Sequence, residues 1–227
     1  MKSRRFRLRY RWIFVVAAAA FGACTAVGFA ATLTVGSWHL WAGSQTVSTG
    51  SCLLTGSANQ NYTTDTYVNQ ASAGTNYESA TTLSIKPDSG SQEWAYLWFN
   101  VPACAVATTG AATNATLKLY VSTPPGTART LTVQPITSSE NNSNATWTNS
   151  QSVTYGTPTE TFVTPTSAGG SVTISVTANS DAWIKGTTDW GFRIYDAGSS
   201  ASNDTTVLYA DNGPTADVPV LTIAWGQ

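Results

Sequence analysis

Short runs of alternating apolar and polar residues, separated by turn-forming clusters, constrain the fold of this sequence more than any other feature. From about residue 61 onward these runs recur between clusters of Gly, Pro, Asn and Ser. Successive side chains of a strand point to opposite faces, so each run offers one face to a core and one to solvent. Many short strands with turns between them indicate packed antiparallel sheets rather than a parallel sheet with helical crossovers. The sequence therefore predicts an all-β domain over residues 61–227 that is a sandwich or a barrel.

Four of these runs define the predicted core. One segment, residues 179–185, is instead typical of a short helix, because Asn179 or Ser180 can cap its start and Gly186 can end it. The apolar faces of the four runs are Ala95, Leu97, Phe99 and Val101; Leu117, Leu119 and Val121; Val172, Ile174 and Val176; and Trp190, Phe192 and Ile194.

The N-terminus is basic and then apolar. Six of the 11 basic residues lie within positions 1–11, and 24 uncharged residues follow from Trp12 to Val35. A transmembrane helix needs about 20 apolar residues, whereas a secretory signal needs a shorter apolar core and a small-residue cleavage site. Residues 12–41 suit both an N-terminal hydrophobic anchor helix and a cleaved signal peptide. Either alternative predicts a cytoplasmic segment 1–11, a Gly/Ser/Thr linker over residues 42–60 and a domain that is extracellular or at the cell surface.

Charge and cysteine content narrow the possible partners further. Beyond residue 11 the chain carries five basic and 12 acidic residues, a formal charge of −7, which excludes the electrostatic footprint of a nucleic-acid-binding protein. Cys52 and Cys104 are the two cysteines beyond the apolar segment. In an exported chain they predict one disulfide, with two separate buried thiols as the alternative.

Trp94, Tyr96 and Trp98 form an aromatic stripe along one predicted strand. Residues i and i+2 lie about 6.6–6.8 Å apart on the same face, a spacing of the order of a sugar ring, and aromatic rings cover the apolar face of a pyranose. Tyr120, Arg193 and Tyr195 extend this surface if their strands lie in the same sheet. The sequence thus predicts carbohydrate binding by these six residues. The alternative is that the loops at residues 122–128 and 138–158 fold over the stripe and make it a second small core.

The sequence offers little to a catalytic site. The single histidine, His39, lies beside the apolar segment, which excludes a Ser-His-Asp arrangement within the predicted sandwich. Asp204, Asp211 and Asp217 lie near the C-terminal turns and offer oxygen ligands for a structural Ca²⁺, with solvated turn carboxylates as the alternative. We therefore predict no enzymatic activity and no cofactor apart from that Ca²⁺.

Eight short stretches in a fixed order carry a family resemblance. They are DTYV (65–68), NY (76–77) followed by LSI (83–85), AYLWFNVP (95–102), ATLKLYV (115–121), ATWTN (145–149), DAW (181–183) with Gly186, WGFRIYD (190–196) and PVLTI (219–223). Together they resemble the DNRLRE-domain family, exported β-sandwich proteins of bacteria and archaea that are related to carbohydrate-binding modules. The resemblance implies an all-β, jelly-roll-like antiparallel sandwich over residues 61–227, and it implies polysaccharide recognition.

The chain departs from that family at positions that tend to be basic. Trp94 and Trp98 occupy two of them, and Ala210-Asp211-Asn212 replaces the family's Ser-Arg-Glu. These replacements disfavour an acidic polysaccharide such as alginate or pectate. The sequence thus predicts a non-catalytic, secreted or surface module that binds polysaccharide or cell-envelope glycan, with membrane contact through the N-terminal segment if it is retained. The alternative is a structural or adhesive surface protein that packs with itself or with envelope proteins.

Overall fold

The computed structural model describes residues 32–35, 38–41, 49–56, 63–104, 111–139, 144–198 and 204–226. Within these residues lie the helices α1 (Trp147–Ser150) and α2 (Thr177–Ile184) and 3-10 turns at Gln70–Ser72 and Val101–Ala103. The strands are β1 (Thr32–Val35), β2 (Trp38–Trp41), β3 (Gly50–Thr55), β4 (Thr63–Asn69), β5 (Thr82–Ile85), β6 (Glu93–Phe99), β7 (Ala111–Thr123), β8 (Thr130–Pro135), β9 (Glu160–Val163), β10 (Ser171–Ser175), β11 (Phe192–Asp196), β12 (Thr206–Tyr209) and β13 (Val220–Gly226).

Strands β3 to β13 form two antiparallel sheets. The five-stranded sheet has the order β4-β6-β11-β8-β9, and the six-stranded sheet has the order β3-β13-β7-β12-β5, with β10 also paired to β7. The strands are rich in the β-branched and aromatic residues that pack well on a pleated surface. The described part of the chain is thus mostly β, and the prediction of a sandwich is confirmed.

The core lies between the two sheets and is built from the predicted apolar faces. In the five-stranded sheet the antiparallel register sets Phe192 opposite Leu97 and Ile194 opposite Ala95, all of them buried. Two members of the predicted faces differ: Val172 is half-buried, and Trp190 packs against a separate cluster described below. The other buried residues of the predicted faces are Phe99, Val101, Leu117, Leu119, Val121, Ile174 and Val176.

A disulfide joins Cys52 on β3 to Cys104, whose Cα atoms lie 5.6 Å apart. This confirms the predicted pair, and intramolecular disulfides are typical of extracellular proteins. Strand β3 pairs with β13 over its whole length, so the sheet includes residues 50–55 of the predicted linker. The amino-acid pattern of residues 50–55 does not clearly predict a strand, because Leu54 alone among these six residues is fully buried in the core.

Helix α2 covers most of the predicted helical segment but begins earlier, at Thr177. Its N-cap is therefore Val176, which makes no side-chain cap, rather than Asn179 or Ser180. Lys185, which directly follows the helix, forms a salt bridge at 2.6 Å with Asp181 one turn earlier. Trp183 of the helix belongs to the core, and Ile184 packs against it.

The N-terminal strands β1 and β2 belong to a separate unit that ends at Thr46. They pair as an antiparallel hairpin in which Thr32 lies opposite Trp41 and Val35 lies opposite Trp38. The described end of the segment predicted as a signal or anchor helix is therefore β, in keeping with the strand preference of its Thr and Val residues, and the rest of that segment lies outside the described residues. Among the described residues, no helix is long and apolar enough to cross a membrane.

Candidate functional site

The predicted aromatic stripe lies on the outer face of the five-stranded sheet. Trp94, Tyr96 and Trp98 alternate along β6 with residues of the core. The neighbouring strand β11 sets Arg193 directly opposite Tyr96, and Tyr195 follows two residues later on the same face. Five of the six predicted binding residues therefore share one surface.

Tyr120 does not share that surface. It lies on β7 in the six-stranded sheet, where the Lys118 ammonium stands 4.6 Å from its ring centroid. Tyr120 was expected to extend the stripe only if its strand lay in the same sheet, and it does not.

A second cluster of apolar residues covers the middle of the stripe. Tyr96 is 0% exposed, and its hydroxyl lies 2.7 Å from the hydroxyl of Tyr155. The Trp94 ring lies 4.5 Å from the ring of Trp147 on α1, and Ala145 completes the cover. These covering residues come from the loop predicted at residues 138–158, so the alternative of a second small core holds at Tyr96. Burial raises the pKa of Tyr96 well above its usual range, so its hydroxyl stays neutral.

Hydrogen bonds to the segment between β4 and β5 hold helix α1 in place. The Thr146 hydroxyl caps it by accepting from the Asn149 N–H at 3.2 Å. Thr148 donates through both its N–H and its hydroxyl to the carbonyl of Ala73, at 3.0 and 3.1 Å. The Asn76 side chain donates to the Ala145 carbonyl at 2.8 Å. These bonds fix Trp147 over the stripe.

Trp98 is half-buried, and its indole N–H donates to the carbonyl of Asp189 at 3.1 Å. Oδ1 of Asp189 accepts from the Gly191 N–H at 2.8 Å. Burial raises the pKa of the Asp189 carboxyl to about 7, while the backbone donors oppose that rise. Trp98 thus fastens the segment before β11 to β6.

Arg193 is held among three aromatic rings. Its guanidinium carbon lies 3.6 Å from the ring centroid of Tyr155, 4.1 Å from that of Tyr195 and 4.7 Å from that of Trp94. Nη2 donates to the Gln134 side chain at 2.6 Å. Each such cation–π contact contributes about 0.5–2 kcal/mol, so the ring set holds the cation in place at a half-buried position.

A cleft that the sequence analysis missed opens beside α2. Its volume is about 250 Å³. Asn179, Ala182 and Trp183 line it from one face of α2, because positions i, i+3 and i+4 of a helix lie together, and Trp190 lines it from the segment before β11. Its residues come from four separate segments, which no single local pattern reveals. The remaining lining residues are Pro135, Ile136, Thr137, Thr157, Thr187 and Thr188.

The predicted Ca²⁺ ligands are distributed over different surroundings. Asp204 is buried. Hydrogen bonds to Asp88 and Asp196 are the main causes that raise the pKa values of Lys86 and Arg129, and the charge of Asp204 adds a smaller contribution to both. Asp211 instead lies beside Asp65 of β4, whose Oδ2 accepts the Asp211 N–H at 2.7 Å. Across the described ranges, no group of three or more His, Cys, Asp or Glu side chains is arranged to hold a metal ion.

The comparisons with known proteins place the sandwich in a family. The chain resembles, at 13% identity and a TM-score of 0.22, a chain of a cryo-EM structure of Mud crab tombus-like virus, with 89% of this chain and 90% of that one covered; a similarity this low carries no argument. No curated protein matches the sequence. A family model for carbohydrate-binding module family 96 matches residues 57–224, which span the described sandwich from β4 to all but the end of β13. The chain therefore belongs to carbohydrate-binding module family 96.

Proposed function

We propose that the protein is a non-catalytic module that binds polysaccharide in the cleft beside α2. The observation that carries this proposal is the half-buried indole of Trp190 in a concave lining that contains no charged side chain. Indole faces pack against the apolar face of a sugar ring, while threonine hydroxyls and the Asn179 amide can bond its hydroxyls. Membership of a carbohydrate-binding module family supports the same function.

The size and charge of the cleft narrow the ligand. Its volume of about 250 Å³ lies just below the range of about 300–1,000 Å³ that is usual for small-molecule sites. The cleft therefore suits one sugar unit of a longer chain. An uncharged lining and the formal charge of −7 beyond residue 11 favour a neutral or weakly acidic polysaccharide over a highly anionic one.

The outer face of the five-stranded sheet supplies the second contact region in this proposal. Trp190 packs against the same cluster as Trp94, so the two regions adjoin. Half-buried Trp94, Arg193 and Tyr195 would contact sugar units beyond the one in the cleft. Buried Tyr96 supports these side chains from beneath.

Binding of the full chain to an array of neutral and uronic-acid polysaccharides tests the function, and titration calorimetry on a positive polysaccharide tests the site. We expect Trp190→Ala to weaken binding about tenfold, which corresponds to about 1.4 kcal/mol. Trp190→Phe, which keeps an aromatic face, is the matched control and loses less.

The results of these experiments distinguish a failure of the proposed function from a failure of the proposed binding site. An array without any bound polysaccharide overturns the function. Unchanged affinity in Trp190→Ala overturns the cleft, and a loss in Tyr195→Ala alone moves the site to the outer face of the sheet. Circular dichroism of each variant confirms that the sandwich is folded.

The proposal includes an extracellular location. Carbohydrate-binding modules and intramolecular disulfides are typical of extracellular proteins, and the basic and then apolar N-terminus supplies the pattern of an export signal or anchor. N-terminal sequencing of the protein recovered from culture medium and from membranes distinguishes cleavage from retention.

A structural or adhesive role is the second candidate function. Leu53 and Val163 are 57% and 60% exposed, and they lie on β3 and β9 at the edges of the two sheets. Exposed apolar edge strands favour association between chains. Sedimentation velocity decides between the candidates, because a binding module stays monomeric whereas an adhesive protein associates as its concentration rises.

A further inference from the structure

The cleft beside α2 has an exposed lining and a buried lining of different chemistry. The exposed residues are all threonines, and the buried residues are apolar apart from one amide. The exposed set is Thr137, Thr157, Thr187 and Thr188, and the buried set is Pro135, Ile136, Trp183 and Asn179. A ligand that matches this cleft therefore carries hydroxyl groups on its outer part and an apolar group beside an amide partner on its inner part.

Asn179 supplies the polar side chain of the buried lining, and it is 5% exposed. Its Nδ2 donates to the carbonyl of Pro158 at 3.4 Å, and its Oδ1 accepts no hydrogen bond from any residue that the structure describes. A primary amide has two N–H donors and an oxygen with two lone pairs, and buried polar groups are nearly always paired. The oxygen and one N–H of Asn179 are thus left for a ligand in the cleft.

An unsubstituted hexose does not match the buried lining. It carries hydroxyl groups around the whole edge of its ring, so the edge that enters the cleft would place hydroxyls against Ile136 and Trp183. A hydroxyl that is buried without a hydrogen-bond partner is unfavourable. The buried lining therefore favours a sugar with an apolar substituent.

An acetamido substituent matches both parts of the buried lining. Its methyl group suits the apolar residues Pro135, Ile136 and Trp183, while its N–H can donate to Oδ1 of Asn179 and its carbonyl can accept from Nδ2. The methyl group of a 6-deoxy sugar would leave Asn179 unpaired. An O-acetyl ester offers a carbonyl but no N–H for the Asn179 oxygen.

We propose that the cleft binds a 2-acetamido sugar unit, such as N-acetylglucosamine, with the acetamido group directed at Asn179. This inference rests on the proposed function of the cleft and names the class of sugar that the cleft selects. The face of the sugar ring packs on the half-buried indole of Trp190, and the exposed threonines bond the remaining hydroxyls.

Titration calorimetry of the full chain with two trisaccharides tests this proposal. N-acetylated chitotriose and cellotriose have the same β-1,4 linkage and differ only in the acetamido or hydroxyl group at carbon 2. We expect the wild type to bind chitotriose about tenfold more tightly, the factor that one net hydrogen bond of about 1.4 kcal/mol supplies. Equal or weaker binding of chitotriose overturns the proposal.

Replacement of Asn179 locates the preference within the cleft. Asn179→Ala should lower the affinity for chitotriose to that for cellotriose and leave the affinity for cellotriose unchanged. Asn114→Ala is the matched control, because Asn114 is exposed on β7 and does not line the cleft, and it should keep the tenfold preference. A preference that persists in folded Asn179→Ala contradicts the proposal.

Saturation-transfer NMR on the wild type gives a second measurement that needs no variant. The acetamido methyl protons of chitotriose should receive more saturation from the protein than the ring protons do. Stronger saturation of the ring protons overturns the proposal. Co-sedimentation with insoluble chitin and with peptidoglycan then distinguishes two polymers that carry 2-acetamido sugars, and binding to either agrees with the proposal.

This inference can fail while the proposed function stands. If another polysaccharide of the array binds and Trp190→Ala weakens its binding, but chitotriose shows no preference over cellotriose, the cleft binds sugar of a different class and only this inference is wrong. If no polysaccharide or oligosaccharide binds at all, both are wrong.

Discussion

Replacement of Tyr96 by Phe tests whether the stripe is a second core rather than a ligand surface at this position. The substitution keeps the buried ring and removes the hydroxyl that lies 2.7 Å from Tyr155. A hydrogen bond contributes about 0.5–1.5 kcal/mol net, and Tyr155 retains a bond to the Ser150 carbonyl at 3.4 Å. We therefore expect a loss of about 0.5–1 kcal/mol in the free energy of unfolding, or about 1–4 °C in melting temperature.

Urea unfolding followed by tryptophan fluorescence measures this loss, and the m-value should stay unchanged because the exposed surface on unfolding is the same. Tyr155→Phe should cost a similar amount, and the double variant should cost less than the sum because both remove one bond. Polysaccharide affinity should not change in Tyr96→Phe, since the side chain is fully buried. A tenfold weaker affinity at unchanged stability would refute the assignment of Tyr96 to a core.

Two further predictions concern stability. Replacing Cys52 and Cys104 by Ser removes a disulfide that links residues 52 positions apart. We expect the free energy of unfolding to fall by about 4 kcal/mol by the chain-entropy relation, with a matching fall in the calorimetric melting temperature. The wild type in reductant should show the same fall, and an unchanged melting temperature would contradict the prediction. Burial raises the pKa of Asp189 from 3.8 to about 7. Between these two pH values the folded state therefore binds more protons than the unfolded state, so the free energy of unfolding falls as the pH rises through this range. Asp189→Asn should make that fall smaller in urea unfolding across the pH series, and an equal fall would contradict the role of this carboxyl.

Local alternation predicted the sandwich core, because a period of two depends only on which face of a strand is buried. Leu97 and Ile194 are buried as predicted, and the register pairs their strands. The same rule does not report what lies above the opposite face. Tyr96 obeys the pattern of an exposed position and is nevertheless fully buried, because a loop fifty residues further along the chain (about Trp147 to Tyr155) folds over it.

The candidate site depended on contacts between distant segments, which is why the sequence revealed little of it. The alternation of Trp190 with Phe192 predicts that Trp190 lies in the sandwich core, yet Trp190 lines a cleft together with residues of α2. Asp65 sits in a strand motif that carries the family resemblance, and only the fold brings Asp211 to it across 146 positions. Burial and pairing of this kind are tertiary properties, which residue type alone does not reveal.

Trp98 belongs to the predicted stripe, but in the structure it holds the segment that carries Trp190 to the wall of the cleft. Its indole N–H holds the carbonyl of Asp189, whose carboxylate accepts from the N–H of Gly191. Gly191 has φ +83°, and a Cβ there would stand 2.1 Å from the Leu97 carbonyl oxygen, so only glycine allows the chain to approach β6 this closely. Trp190 is thereby fixed between two constrained residues, with its indole set at the wall of the cleft before any ligand arrives. A rigid aromatic surface loses little entropy on binding, so Trp98 contributes to the proposed recognition by positioning another indole rather than by touching sugar.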